Sequence, residues 1–337
     1  MSGISLNGEA DSDAALATEF DPSEVVGFDE GSLHALVPTP LAHKLIMGTA
    51  VGLPFVGCIT AIMLLWTVGW MGWLYLGLML GGWILTGLGI TVGFHRLLTH
   101  RSFETYAWVR AVWMMLGALS VEGSPVVWCA VHRRHHEFSD DHGDPHSPRL
   151  HGAGWWNALR GLVHAHCGWL FTSFWTEPDL KRYVPDLLEE KLLVRVDKLY
   201  YLWVLASLAI PAAIGFVATL TWQGALLGLL WGGLVRIFMT HHITWSINSI
   251  CHVFGRRPYR TTDQSTNNLL CGLFGLGEGW HNNHHAFPTS ARHGLAWWQF
   301  DLSWLVIRAM QLIGLAWDVR VPSEKAQAAR RITAGSC

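Results

Sequence analysis

Charge is scarce in this chain of 337 residues: Asp, Glu, Lys and Arg make up 14% of it, against 51% hydrophobic residues. A soluble domain usually carries about 25% charged residues. Residues 45–94 hold none at all. With a net charge of −2, no basic field exists to gather nucleic acid. The six cysteines (Cys58, Cys129, Cys167, Cys251, Cys271, Cys337) form no C-x-x-C pair, so a thiolate metal site or disulfide framework is not expected. Buried, reduced thiols are the reading. Lys and Arg are missing from residues 1–40, while eight Asp and Glu fall in the first thirty. That stretch reads as a disordered acidic tail, too polar for a secretory signal.

Apolar length and indole are what the chain has instead. Its twenty Trp suit membrane–water boundaries. Two apolar blocks are each long enough to cross a bilayer twice. The first divides at TVGW, predicting spans at 45–66 and 70–94. The second divides at TWQG, around Gln223 and Gly224, predicting spans at 200–221 and 225–248. No Lys or Arg lies in either tight turn, and only Arg236 lies within a span. The positive-inside rule then places both termini and both long polar regions in the cytoplasm. The expected fold is an all-α integral membrane protein: four spans in two hairpins under a cytoplasmic helical cap, in a domain over 41–320 followed by a tail over 321–337. The cap would be built from 95–199 and 249–320. Residues 107–131 read as a re-entrant or interfacial helix pair, and 295–317 as an amphipathic interfacial helix. A soluble all-helical protein with buried hairpins is the alternative.

Three histidine clusters carry the chemistry. HRLLTH sets His95 and His100 five residues apart, about 140° on an α-helix, so the two converge only if the helix ends between them. HRRHH (His132, His135, His136) and HNNHH (His281, His284, His285) repeat an i, i+3, i+4 spacing that puts three imidazoles on one helical face. Such a face is too wide for one ion and can serve two neighbouring ones. His252 in WSINSICH brings the count to nine. Neutral imidazole suits Fe, Zn, Cu or Ni. Nine nitrogens exceed what a tetrahedral zinc needs, and zinc has no redox chemistry, whereas two five- or six-coordinate irons fit the count. Spacing alone supports a metal pair but assigns no ligand to either ion. His142, His146 and His293 are expected to orient ligand rings, and Asp144 and Glu278 to accept hydrogen bonds from them. His34 and His43 read as solvated; His164, His166, His241 and His242 have no assigned role.

The stretches GLGITVGFHRLLTHRSF, WCAVHRRHHEFSDDHGDPHSP, TWSINSICH and GEGWHNNHHAFPTSARHGL resemble the integral-membrane fatty-acyl desaturase family. The likeness is to its delta-9 branch, in the bacterial and cyanobacterial style, over about residues 45–320. The resemblance implies a di-iron enzyme in a bacterial inner membrane. One iron would take His95, His100, His132, His136 and His284. The other would take His135, His252, His281 and His285, with Asn248 reaching it through a water.

It also implies a saturated acyl substrate, carried as acyl-CoA or membrane acyl-lipid, with O2 as co-substrate reduced to water as two hydrogens leave the chain. Breaking unactivated C–H bonds is beyond side-chain acids and bases, so the metal pair must activate O2. The chain has no HPGG haem signature and no cysteines spaced for rubredoxin or a ferredoxin cluster. Electrons would therefore come from a separate ferredoxin or cytochrome b5 with its reductase. Animal acyl-CoA members carry charged pairs where this chain has Ala130, Val131, Ser173 and Phe174. Either Arg149, Arg160, Lys181 and Arg182 bind CoA, or the chain is held by a membrane lipid, the reading preferred. A di-iron membrane hydroxylase or alkane monooxygenase and a non-enzymatic metal transporter are the alternatives. The transporter would want polar residues in spans, and the first hairpin has no ionisable one. Counting back along an α-helix from His95, Gly87 lies on the order of 12 Å deep and Trp83 about 18 Å. They are expected to line the acyl tunnel, Trp83 as its floor.

Overall fold

Residues 39–172 and 175–332 of the chain are described by a computed structural model. The acidic stretch over 1–38, with His34, and the positions Ser173, Phe174 and Cys337 lie outside the described residues. Among the described residues four helices are long and apolar enough to cross a membrane: Leu41–Thr67, Trp73–Thr99, Tyr200–Thr219 and Trp222–His252. The structure has no strand there, only isolated bridges such as Glu104 with Trp317.

Local chemistry sets the hairpins. The first turn needs two residues at positive φ, supplied by Gly69 (+94°) and Gly72 (+93°), where a side chain would be strained. The second turn falls three residues before Gln223, at Leu220 (φ +54°). Thr221 caps the fourth span by accepting from Gly224 N at 3.0 Å, so Gln223 and Gly224 belong to its first turn. The third and fourth spans then cross closely. A Cβ on Gly228 would come within 2.2 Å of Pro211 O, and one on Gly215 within 2.1 Å of Gly224 O. Small residues at such crossings let backbones approach where lipid supplies no hydrophobic drive.

Within their most apolar windows, the first and third spans are 17% buried, the second 50% and the fourth 56%. The outer pair faces lipid and the inner pair carries the interior. Both inner spans contain an arginine: the second runs past Arg96, beyond its expected end at 94, and the fourth carries Arg236 within it as expected. Arg96 is fully buried inside the second, and Arg236 in the fourth donates to Leu119 O and Ser207 O at 2.8 and 3.1 Å. A buried guanidinium with its donors satisfied can stay in a span. Each inner span also contains a π-helical stretch, Gly89–Thr99 and Leu229–Val235.

The apolar segment after the second span is a helix pair, Ala107–Ala118 and Pro125–Phe138, turned by Val121 and Gly123 at positive φ. Near the C-terminal end the helix is shorter than the Trp-rich pattern predicts, Leu302–Leu312. Asp301 is the reason. It caps Trp304 N at 2.9 Å and accepts from His293 N at 2.8 Å, holding the preceding residues as a loop. The stretch read as a C-terminal tail holds a helix, Glu324–Arg330, tied back by Ile332 N to Pro258 O at 2.9 Å. The five cysteines among the described residues are all free, three of them buried.

Candidate metal centre

Helical winding brings the first two histidines together. In the π stretch Gly89–Thr99 the backbone closes i to i+5, and His100 N donates to His95 O at 3.1 Å. Residue i+5 therefore sits one turn above residue i. The rings lie 4.8 Å apart, with the helical stretch ending at Thr99 between them and π winding, which an α-helical count leaves out, over its last turns. The same winding stacks more residues per turn, so Gly87 lies less deep below His95 than an α-helical count gives. HRRHH lies on Pro125–Phe138 and HNNHH on His281–Ala286, while His252 ends the 3-10 turn Ile250–His252.

These elements gather the nine imidazoles into two groups. His95, His100, His132, His136 and His284 form one, and His135, His252, His281 and His285 the other; within each, the donor nitrogens lie within 4.8 Å of one another. The groups adjoin, with the His136 and His285 rings stacked at 4.5 Å. The division matches the one the resemblance implies. Asn248 lines a cavity beside His281.

Whether the pockets suit metal can be judged from the proton positions. Glu278 lies 2.5 Å from His95 Nδ1, Asp144 3.0 Å from His135 Nδ1, Asp140 2.8 Å from His252 Nδ1 and Asp263 2.6 Å from His285 Nδ1. Each carboxylate accepts a hydrogen bond from Nδ1–H, which fixes the tautomer with a bare lone pair on Nε2. Three of those lone pairs, on His252, His285 and His95, point at the Nε2 atoms of His281 and His284, whose Nδ1 atoms have no hydrogen-bond partner. His281 Nε2 lies 3.0 Å from His252 Nε2 and 3.1 Å from His285 Nε2, and His284 Nε2 lies 3.1 Å from His95 Nε2. His100 Nε2 and His135 Nε2 are buried with no hydrogen-bond partner. Facing lone pairs without a shared proton repel, and a cation between them removes the repulsion. The donor set fits two nitrogen-ligated metals whose outer carboxylates fix the tautomers.

Electrostatics agree. Burial, with the charge of neighbouring rings, holds His132, His136, His281 and His284 well below the usual imidazole range, so these rings are neutral and able to ligate. Although burial pushes it up, the Glu278 carboxyl is held well below its usual range by His95, His293 and Arg96. Asp140 is likewise lowered to about 2, His252 outweighing burial.

Of the residues expected to orient ligands, Asp144 and Glu278 each lie between two rings: His135 and His146, and His95 and His293. His142 is exposed and points into neither group. His43 is half-buried, its Nε2 3.2 Å from Leu170 O, not solvated. His166 and His242 pair with each other at 2.9 Å, and His241 reaches Val121 O at 3.0 Å. Asp140 and Asp263 were not singled out by the sequence. Asp140 stands beside Asp144 in SDDHGDPH, the only hint available, and Asp263 offers none.

An apolar cavity of about 50 Å3 abuts the centre, lined by His95, His132 and His281 at one end and by Trp83 and Gly87 with Leu276 and Ile247. Trp128 closes a side and stacks on His132 at 5.1 Å. Four apolar spans, two adjoining histidine groups that could hold metal and an apolar pocket against them define an integral-membrane, histidine-rich protein.

The family profile described as fatty acid desaturase matches residues 68–312. The chain is 42% identical over 282 residues to a hex-5-enoyl-[acyl-carrier protein] acetylenase of Moorena producens, covering 83% of this chain and 87% of that one. It is 39% identical over 243 residues to an sn-1 stearoyl-lipid 9-desaturase of Anabaena variabilis, covering 72% and 82%. It is 41% identical over 240 residues to delta-9 acyl-lipid desaturase 1 of Arabidopsis thaliana, covering 71% and 72%. The chain belongs to the fatty acid desaturase family.

Proposed function

We propose that this protein is an O2-dependent desaturase that introduces a cis double bond, at the ninth carbon, into a saturated acyl chain carried by a membrane lipid. The observation that carries the reading is the apolar cavity running from Trp83 and Gly87 to His95, His132 and His281. His95, His100, His132, His136 and His284 would hold one iron, and His135, His252, His281 and His285 the other, with Asn248 acting through a water. When bound, the irons would supply O2 activation and hydrogen abstraction from the chain. The protein's own part is placement. Asp140, Asp144, Asp263 and Glu278 hold protons on Nδ1 and keep Nε2 free, and the lining of the cavity excludes water around the reacting carbons.

Two relatives named for acyl-lipid substrates support the lipid headgroup. So do the cations once weighed as CoA contacts. Arg149 donates twice to His252 O, Lys181 pairs with Glu177 and Arg182 with Glu137, and Ala130 and Val131 are buried. Arg160 is exposed and, alone of the four, makes no hydrogen bond or ion pair among the described residues. Two electrons come from a separate ferredoxin or cytochrome b5 with its reductase, and the cap and both termini face the cytoplasm of a bacterial inner membrane. The test is expression in cells lacking unsaturated lipids, with profiling of double-bond position and of hydroxylated products. A cis-9 monounsaturated product is expected, and with purified protein only when a donor is added. Hydroxylated chains alone would favour the monooxygenase reading instead.

The cavity sets chain length. A Cβ on Gly87 would already lie 2.9 Å from Leu276 Cδ1, so a larger group must fill the pocket. Gly87→Phe is expected to shift preference toward shorter chains, and Trp83→Ala to admit longer ones, in competition among saturated substrates. Unchanged profiles in both folded, iron-loaded variants would place the tunnel's end elsewhere. The outer carboxylates give a separate expectation. Asp263→Ala should weaken iron binding by roughly 10–100-fold, as loss of such a partner usually does, read by iron titration of the apoprotein. Unaltered affinity would leave Asp263 without a part in fixing His285.

A further inference from the structure

A second cavity, of about 660 Å3, lies beside the first and shares Trp128, His132, Thr244 and Asn248 with it. Its volume falls in the range of small-molecule sites. Its mouth is formed by the outer spans. Leu45 and Leu53 of the first span and Tyr201 of the third line it, and they are 64%, 47% and 69% exposed on the lipid-facing surface. An apolar cavity open to a bilayer fills with acyl chain, since water gains no partners there. The interior also holds polar groups. The Glu122 carboxyl is buried beside the Thr244 side chain, and its Oε2 accepts from Trp128 Nε1 at 3.4 Å. Tyr200 Oη accepts from Gly123 N at 3.0 Å, leaving its own proton to donate. A bare hydrocarbon has no use for them; the ester of a glycerolipid does.

We propose that this cavity is a lateral entrance through which the acyl chain of a glycerolipid passes between the first and third spans, its ester stopping at Glu122 and Tyr200. The inference rests on the acyl-lipid reading above and adds where and how that lipid enters. Burial pushes the Glu122 carboxyl up to about 8, so at neutral pH it keeps a proton to donate to an ester carbonyl. From there the chain runs past Trp128 and Thr244, common to both cavities, to the histidines.

The test uses the full, iron-loaded chain in phosphatidylcholine vesicles containing a stearoyl glycerophospholipid with a diazirine next to its ester. Photolabelling of the wild type is expected on residues 121–127 and 200–204. Val204→Trp, which fills the cavity, should cut both labelling and lipid desaturation by at least roughly tenfold at unchanged iron content. Leu205→Trp, on the exposed face of the same helix, should change neither. Glu122→Gln, which keeps a donor, should retain the lipid-concentration dependence, and Glu122→Leu should raise the half-saturating lipid level. Labelling confined to the outer surface, or Val204→Trp working at the wild-type rate, overturns the entrance while leaving the acyl-lipid reading intact. A wild type that desaturates acyl-CoA but no vesicle lipid overturns that reading and the entrance with it.

Discussion

His284→Ala is expected to lose more than roughly a hundredfold in product, together with at least one of the two proposed irons, because even an outer partner's loss costs about 10–100-fold. The position of the ring gives the reason. His284 Nε2 lies 2.9 Å from His136 Nε2 and 3.1 Å from His95 Nε2, and its ring is 4.7 Å from that of His100. It is the point on which the three histidine clusters meet in the five-ring group. Removing it opens a gap between residues that reach the site from two other helices, and no nearby side chain can slide in. His293 comes within 4.5 Å, but it is held by Glu278. Iron per chain and the fatty-acid profile measure the outcome. His142→Ala is the control, exposed and away from both groups, and should leave iron and product unchanged. A His284→Ala protein that keeps both irons and near wild-type product would remove His284 from the ligand set.

What the sequence reveals of this centre follows from how far apart the cooperating residues lie along the chain. HRRHH and HNNHH are legible because the helix itself turns i, i+3 and i+4 into one face, with no tertiary information needed. The spans are legible because uncharged length has few other uses. His95 and His100 are visible as residues, but their meeting was only conditional on a helix end between them, and the π winding that helps join them leaves no mark in the sequence. The carboxylates are harder. Asp140 holds a ring 112 residues away, and Asp263 holds one 22 residues away, beyond the helix Leu269–Phe274. A lone acidic residue in a polar loop carries no period to mark it. The end of the second span was hidden for a related reason. Arg96 looks like a boundary in a hydropathy pattern, and only its partners in space make it interior.

Arg96→Met is expected to cost about 3–5 kcal/mol of stability, the usual effect of removing one member of a buried ionic cluster. Arg96 is fully buried, with Nη2 donating to Glu278 at 3.0 Å, and Nη1 donating to Ala291 O at 2.8 Å and to Asp301 at 3.0 Å. One planar guanidinium thus joins the second span to two segments of the cap. Methionine fills much the same volume but leaves two carboxylates facing each other without a counter-charge. Lysine restores the charge yet cannot reach both carboxylates and the carbonyl at once, so Arg96→Lys should fall between the two. The loss reaches the metal centre as well, because Glu278 also holds His95 Nδ1 and Asp301 also fixes the backbone at His293. A carboxylate freed from Arg96 can turn or protonate, and His95 then loses its fixed tautomer. Thermal unfolding in detergent should therefore fall first, with weakened iron retention in whatever remains folded. Melting and iron content equal to wild type in Arg96→Met would mean that both carboxylates are neutral in the folded protein and that Arg96 only fills space.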